Sequence, residues 1–266
     1  MSVRRWAVSA TATLLLLAAA FGEPSQTALG CTAPQEVTRF KVRLPNTTRA
    51  IRLGKALVIV AIGSSSTSGV GASDPAHTYP ALLAEELRHQ WPWLAVTVIN
   101  KGVGGETATQ MLARFERDVL PYHPQLVIWQ TGSNQVLRSG GDIEGYAATI
   151  REGIGRLKAA RFDIVLMDPQ FAPRVLARPM HLPIVDTISA VANETNVAVF
   201  QRFAVMRHWV RSGQYKIEDI VSSDGLHMND VSYGCIAHLL ANSLVAATEP
   251  EAYGWERGER ARDTSR

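Results

Sequence analysis

Apolar residues along this chain follow two alternating rhythms. Five short runs, at 56–62, 95–99, 126–130, 163–167 and 197–200, are apolar on successive residues and rich in Val, Ile and Leu. A strand open to water on one face alternates apolar with polar, so continuous runs of this length predict strands covered on both faces. In the gaps, at 79–90, 107–119, 143–160, 182–193 and 231–246, apolar residues recur at spacings of three and four, which predicts amphipathic helices.

Strand and helix in turn is the pattern of an α/β domain with a parallel sheet. Five strands with helical crossovers predict a three-layer flavodoxin-like sandwich, sheet order 2-1-3-4-5, with helices on both faces. In such a sheet the turns after the strands gather at the carboxyl edge, where ligands bind. With 266 residues and 46% hydrophobic content, one core and one domain are expected, at 51–248.

The flanks have other patterns. Arg4 and Arg5, an apolar stretch through Leu14 to Ala20 and the small residues Ala18, Ala19 and Ala20 predict a signal peptide over 1–20, with a retained anchor as the alternative. Trp6-Ala7-Val8 matches a twin-arginine signal poorly, so Sec export is favoured, and Ala28-Leu29-Gly30 fits a lipoprotein signal ending at Cys31 poorly. Residues 21–50 read as an N-terminal extension with a small edge strand through Phe40, Val42 and Leu44, and 249–266 as a flexible charged tail. The expectation is an exported protein, periplasmic or secreted, with no stable membrane span once the signal is removed.

Charge excludes some partners. Losing residues 1–20 removes two arginines and no acid, which takes the net charge from +3 to +1. With no basic run interleaved with aromatics, a nucleic-acid partner has no electrostatic basis. The histidines show no shared ligand spacing and no Cys/His cluster exists, so no metal is expected. Gly102-x-Gly104-Gly105 lacks the spacing and the Lys-Ser/Thr pair of a phosphate-binding loop. Cys31 and Cys235 are compatible with a disulfide in an exported protein, or with two free thiols; spacing alone does not decide.

The chemistry-bearing residues lie on four polar turns. Ile62-Gly63-Ser64-Ser65-Ser66-Thr67-Ser68-Gly69 offers a serine on a Gly-bounded turn after the first strand, with Ser64, Ser66 and Ser68 competing with Ser65. Ser223-Asp224-Gly225-Leu226-His227, just before the last helix, puts a carboxylate where it can orient an imidazole. A serine activated by a base that is itself held by an acid is the logic of nucleophilic catalysis, so the pair points to a serine hydrolase. Between them, the turns holding Gly105 and Asn134 can supply hydrogen-bond donors, although Gly104-Gly105 also serves a simple turn and Asn134 a helix cap.

Taken in order, Ser, Gly, Asn and Asp-x-x-His, these turns resemble the SGNH (GDSL-like) hydrolase superfamily. The family's Gly-Asp-Ser with a Gly four residues on aligns with Gly63-Ser64-Ser65 and Gly69, which selects Ser65, with Ser64 where the family usually has Asp. Asn100-x-x-x-x-Gly105-x-Thr107 and Gly132-x-Asn134 match the second and third blocks, with Gln135 where Asp is common. The resemblance implies Ser65 as nucleophile, His227 as base, Asp224 as its orienting acid, and an oxyanion hole from Ser65, Gly105 and Asn134, with no cofactor. It implies hydrolysis of a small-molecule or glycan ester through an acyl-enzyme. The rim loops after the first and third strands are small and polar, which favours short acyl groups such as acetyl on a glycan. The apolar loop from Phe171 to Leu182 keeps a lysophospholipase or thioesterase-like broad esterase open. Periplasmic O-acyl transfer and a non-catalytic glycan-binding role are the readings from other classes.

Overall fold

The computed structural model describes residues 30–138 and 142–249, so the expected signal peptide and all but the first residue of the expected tail lie outside the described residues. Five parallel strands, β1 (Leu57–Gly63), β2 (Val96–Gly102), β3 (Leu126–Gln130), β4 (Asp163–Met167) and β5 (Ala198–Phe200), form one sheet in the order β2-β1-β3-β4-β5. This is the predicted order. Every residue of β3 and β4 is buried, whereas β2, at one edge, leaves Thr97 and Asn100 exposed. Register aligns Ile59 with Val98 on one side and Leu126 on the other, and brings Gly63 beside Gly102 at the carboxyl edge.

The helices that matter here are α1 (Pro45–Arg52), α2 (Tyr79–Gln90), α3 (Ala108–Ala113), α4 (Ile143–Ala159), α5 (His181–Thr195), α6 (Arg202–Arg211) and α7 (Asp230–Thr248). In one outer layer α7 packs on α2, and in the other α5 packs on α4, which completes the sandwich. Trp129 of β3 is core, as its place in a strand predicts: its ring meets Phe115 edge-on at 5.0 Å and its Nε1 donates to Met111 Sδ at 3.3 Å. The capping box at Asn229 starts α7, whose 18-residue apolar window has mean hydropathy 1.3. That is apolar enough to cross a membrane by length and composition. Here Tyr233, Cys235, Ile236, Leu240 and Leu244 of α7 are buried in the protein core.

Two readings of the sequence are corrected. No strand runs through Phe40, Val42 and Leu44; Phe40 and Leu44 are buried and lead into α1. Residues 31–50, the described part of the N-terminal extension, pack onto the domain. Asp163, at the start of β4, accepts Thr47 N and Thr47 Oγ1, both at 2.8 Å, and Asn46 Nδ2 at 3.1 Å. Cys31 and Cys235 form a disulfide, tying this segment to α7. The helix expected over 107–119 breaks at Arg114 into α3 and a turn at Phe115–Asp118, because the Arg114 guanidinium is drawn to the sheet edge. Helix α6 was not expected at all.

Candidate active site

The turn after β1 is held from beneath. Gln130 Oε1, at the end of β3, accepts Ser64 N at 2.9 Å, Ser64 Oγ at 3.1 Å and Thr67 Oγ1 at 3.2 Å. Ser65 therefore opens a short helical turn, Ser65–Ser68, which Gly69 closes. The end of β2 presses against this turn: Asn100 Nδ2 donates to Thr67 O at 2.7 Å, and a Cβ on Gly102 would lie 2.0 Å from Ser68 N. Only glycine permits that approach.

The Asp-x-x-His segment is a closed loop, with an antiparallel bridge between Val221 and Met228 and Ser222 N donating to His227 O at 2.8 Å. Asp224 Oδ1 accepts Ser222 Oγ at 2.8 Å, Leu226 N at 2.8 Å and His227 N at 2.9 Å, while Oδ2 takes the Nδ1–H of His227. Partial burial pushes the Asp224 carboxyl up, but the hydrogen bonds from His227, Leu226 and Ser222 outweigh it and hold the group far below the usual carboxylate range. With the proton on Nδ1, His227 Nε2 is an acceptor, and Ser65 Oγ sits 2.8 Å from it. Residues 162 apart in sequence meet there.

Asn134 lies within the turn Ser133–Arg138, not at its cap, and is buried. One Nδ2 hydrogen goes to Glu106 O at 3.0 Å, beside Gly105, and the second has no acceptor among the described residues. Gly105 has φ +79°, and a Cβ there would meet Arg138 Nη2 at 2.9 Å. Among the described residues, neither Ser65 N nor Gly105 N donates to a protein acceptor. All five residues singled out in the sequence thus lie at the carboxyl edge, linked through Ser65–His227–Asp224 and through Asn134–Glu106.

Sequence reasoning missed the polar residues beneath. Arg114, 6% exposed, donates to Gly63 O at 3.1 Å, Lys101 O at 2.8 Å, Glu106 Oε2 at 2.7 Å and Asp118 Oδ2 at 3.0 Å. Asp168, Gln170 and Arg202 are also buried. Burial pushes the Asp168 carboxyl up and the Arg202 guanidinium down. The available signal was a polar residue closing an apolar strand, as Gln130 and Asp168-Pro169-Gln170 do.

The apolar loop that keeps a broad esterase open is divided: Val175 turns into the core, Phe171, Leu176 and Met180 are half-buried, and Leu182 is 45% exposed. Val175 is fully buried, and Phe171 packs edge-on against Phe203 at 5.3 Å. Cavities of 830 and 740 Å³ share Lys41, Val42 and Arg43 in their linings, and neither lining includes Ser65, Asp224 or His227.

A parallel α/β sandwich with Ser, His and Asp joined at its carboxyl edge, flanked by a Gly turn and an Asn, defines the SGNH/GDSL-like class. Within it, residues 30–250 match the non-GDSL lipase-like family, and the chain belongs to that family. An acetylxylan esterase of Geobacillus stearothermophilus is 28% identical over 130 residues, 44% of this chain and 59% of that protein, so the match spans less than two thirds of its relative. A two-domain esterase active on acetylated mannans, crystallised with mannopentaose, superposes with TM-score 0.68 at 23% identity, covering 80% of this chain and 58% of that one. The acetyl xylan esterase AlAXEase superposes with TM-score 0.59 at 19% identity, covering 71% of this chain and all of that one.

Proposed function

We propose that this protein is an exported serine esterase that removes short acyl groups, acetyl foremost, from a glycan through an acyl-enzyme. The observation that carries the reading is Ser65 Oγ at 2.8 Å from His227 Nε2, with Asp224 on the far ring nitrogen. Ser65 Oγ attacks the ester carbonyl carbon as His227 takes its proton, and Asp224 steadies the imidazolium. Negative charge on the former carbonyl oxygen falls to Ser65 N–H, Gly105 N–H and the second Asn134 Nδ2 hydrogen, preoriented donors of the kind worth about 3 kcal/mol each. Collapse breaks the bond to the alcohol, which leaves with the proton from His227. Water, deprotonated by His227, then attacks the acyl-Ser65 and releases the acid. The small polar turns after β1 and β3 and the relatives acting on acetylated xylan or mannan both favour an acetyl ester over a long chain. A disulfide suits an oxidising compartment, in keeping with export.

The test is a series of p-nitrophenyl esters from acetate to palmitate, with Ser65→Ala alongside. Turnover should be greatest for acetate or butyrate, since each further methylene gains about 0.8 kcal/mol only where protein buries it, and Ser65→Ala should abolish it. Rising kcat/KM beyond decanoate refutes the short-chain reading; an active Ser65→Ala refutes the nucleophile. Product analysis with and without an acceptor sugar separates hydrolysis from acyl transfer.

A further inference from the structure

Gln170 follows β4 by three residues and is 1% exposed. Its Oε1 accepts Ser133 Oγ at 2.7 Å, Arg202 Nη2 at 3.1 Å and, at longer range, Ser66 Oγ at 3.4 Å; its Nε2 donates to Leu226 O at 3.0 Å. Those contacts have a common property. Ser66 follows Ser65, Ser133 precedes Asn134, and Leu226 precedes His227. One amide thus reaches the chain neighbour of a residue in each of three loops that are far apart in sequence.

The amide has one workable orientation. Its oxygen faces two hydroxyls and a cation, so the flipped form would set an N–H against the Arg202 donors and an oxygen against Leu226 O. Arg202 is itself fixed, with Nε on Asp168 O at 3.0 Å, while Asp168 Oδ1 accepts Phe203 N at 2.8 Å. Helix α6, which begins at Arg202, therefore enters the site from below.

We propose that Gln170, oriented by Arg202, is the positioning residue that sets Ser65, Asn134 and His227 at their mutual distances as one unit. It touches no substrate. The inference rests on the esterase reading for its kinetic consequence, but the mechanical coupling of the three loops stands apart from it. A displacement of 1 Å at a reacting group costs on the order of 100-fold in rate, so a single amide holding three such groups matters more to kcat than to binding.

Two variants test this. Gln170→Met keeps the length and removes every hydrogen bond; Gln170→Glu keeps the acceptor for Ser133 and Arg202 and loses the donor to Leu226 O. In folded Gln170→Met, kcat for p-nitrophenyl acetate should fall about 10- to 100-fold with KM within about twofold, and Gln170→Glu should lie between it and wild type. Amide hydrogen exchange in Gln170→Met should quicken together over 64–68, 132–136 and 222–228 while α2 keeps its protection. Wild-type kcat in folded Gln170→Met, or faster exchange confined to one segment, overturns the proposal. If Gln170→Met does not fold, Ser133→Ala cuts one arm and is read by the same rule: a fall in kcat with KM held supports it, unchanged kcat overturns it. If wild-type protein turns over no ester, the esterase reading fails, and the exchange pattern alone decides the coupling.

Discussion

Replacing Arg114 by Met should damage stability and turnover together, by amounts the geometry sets. Arg114 is 6% exposed, with Glu106 and Asp118 at 16% and 12%. Breaking a buried ion pair from one side leaves a carboxylate without its cation, which costs about 3–5 kcal/mol. The lower end applies, because Asp118 keeps Arg117 at 2.8 Å and Lys101 at 3.9 Å, whereas Glu106 has no other ion-pair partner among the described residues. Loss of the bonds to Gly63 O and Lys101 O adds about 1 kcal/mol. The sum, about 4 kcal/mol, corresponds in a domain of this size to a Tm lower by about 8–16 °C. Part of the loss follows pH. The hydrogen bond from Arg117 pulls the Asp118 carboxyl down to about 2, partial burial opposes it, and Arg114 adds to the lowering. Such a group stabilises the fold above the ordinary carboxylate range and loses that contribution as pH falls from 4 toward 2. Melting curves at pH 7 and pH 3 should therefore show a smaller gap between variant and wild type at pH 3. Turnover measured well below the variant's Tm should also fall, since Glu106 carries the carbonyl that orients Asn134. Arg114→Lys should be intermediate, because an ammonium cannot fork to four acceptors. A Tm within 3 °C of wild type at pH 7, or an equal gap at both pH values, would refute the reasoning.

Asn134→Ala should lower kcat by about 100-fold or more with little change in KM, as expected for a donor engaged only when the oxyanion forms; steady-state kinetics on p-nitrophenyl acetate decide, and a change confined to KM would make Asn134 a binding residue. Replacing Cys31 and Cys235 together by Ser removes a bridge closing a loop of 204 residues. Loop-closure entropy puts the loss near 5 kcal/mol, or about 10–20 °C in Tm; a melting curve unchanged by the double substitution would contradict it.

The sheet was legible because burial on both faces writes itself as unbroken apolar runs, and β3 and β4 have the bounds the sequence predicts. Helix α2 was equally plain, with Pro80 in its first turn. The missed elements are those whose polar residues face inward. Arg202 at the head of α6 reads as solvated but is fully buried, and α1 is short, its buried face of Thr47 and Ala50 anchored through Thr47 to Asp163. The turns holding Ser65, Gly105, Asn134 and Asp224-x-x-His227 were visible as motifs. The frame that positions them, Gln130, Gln170, Arg114 and Arg202, was not, since each is an ordinary polar residue until its partners from distant segments arrive.

The bond between Cys31 and Cys235 makes the intervening backbone a covalent ring, and Ser65, Gly105, Asn134, Asp224 and His227 all lie on it. A protease that cuts any one loop of that ring opens it without releasing a fragment. The nicked molecule stays a single species on a non-reducing gel and resolves into two only after reduction. With five strands still hydrogen-bonded and both cut ends tethered, the site can outlive the first cut.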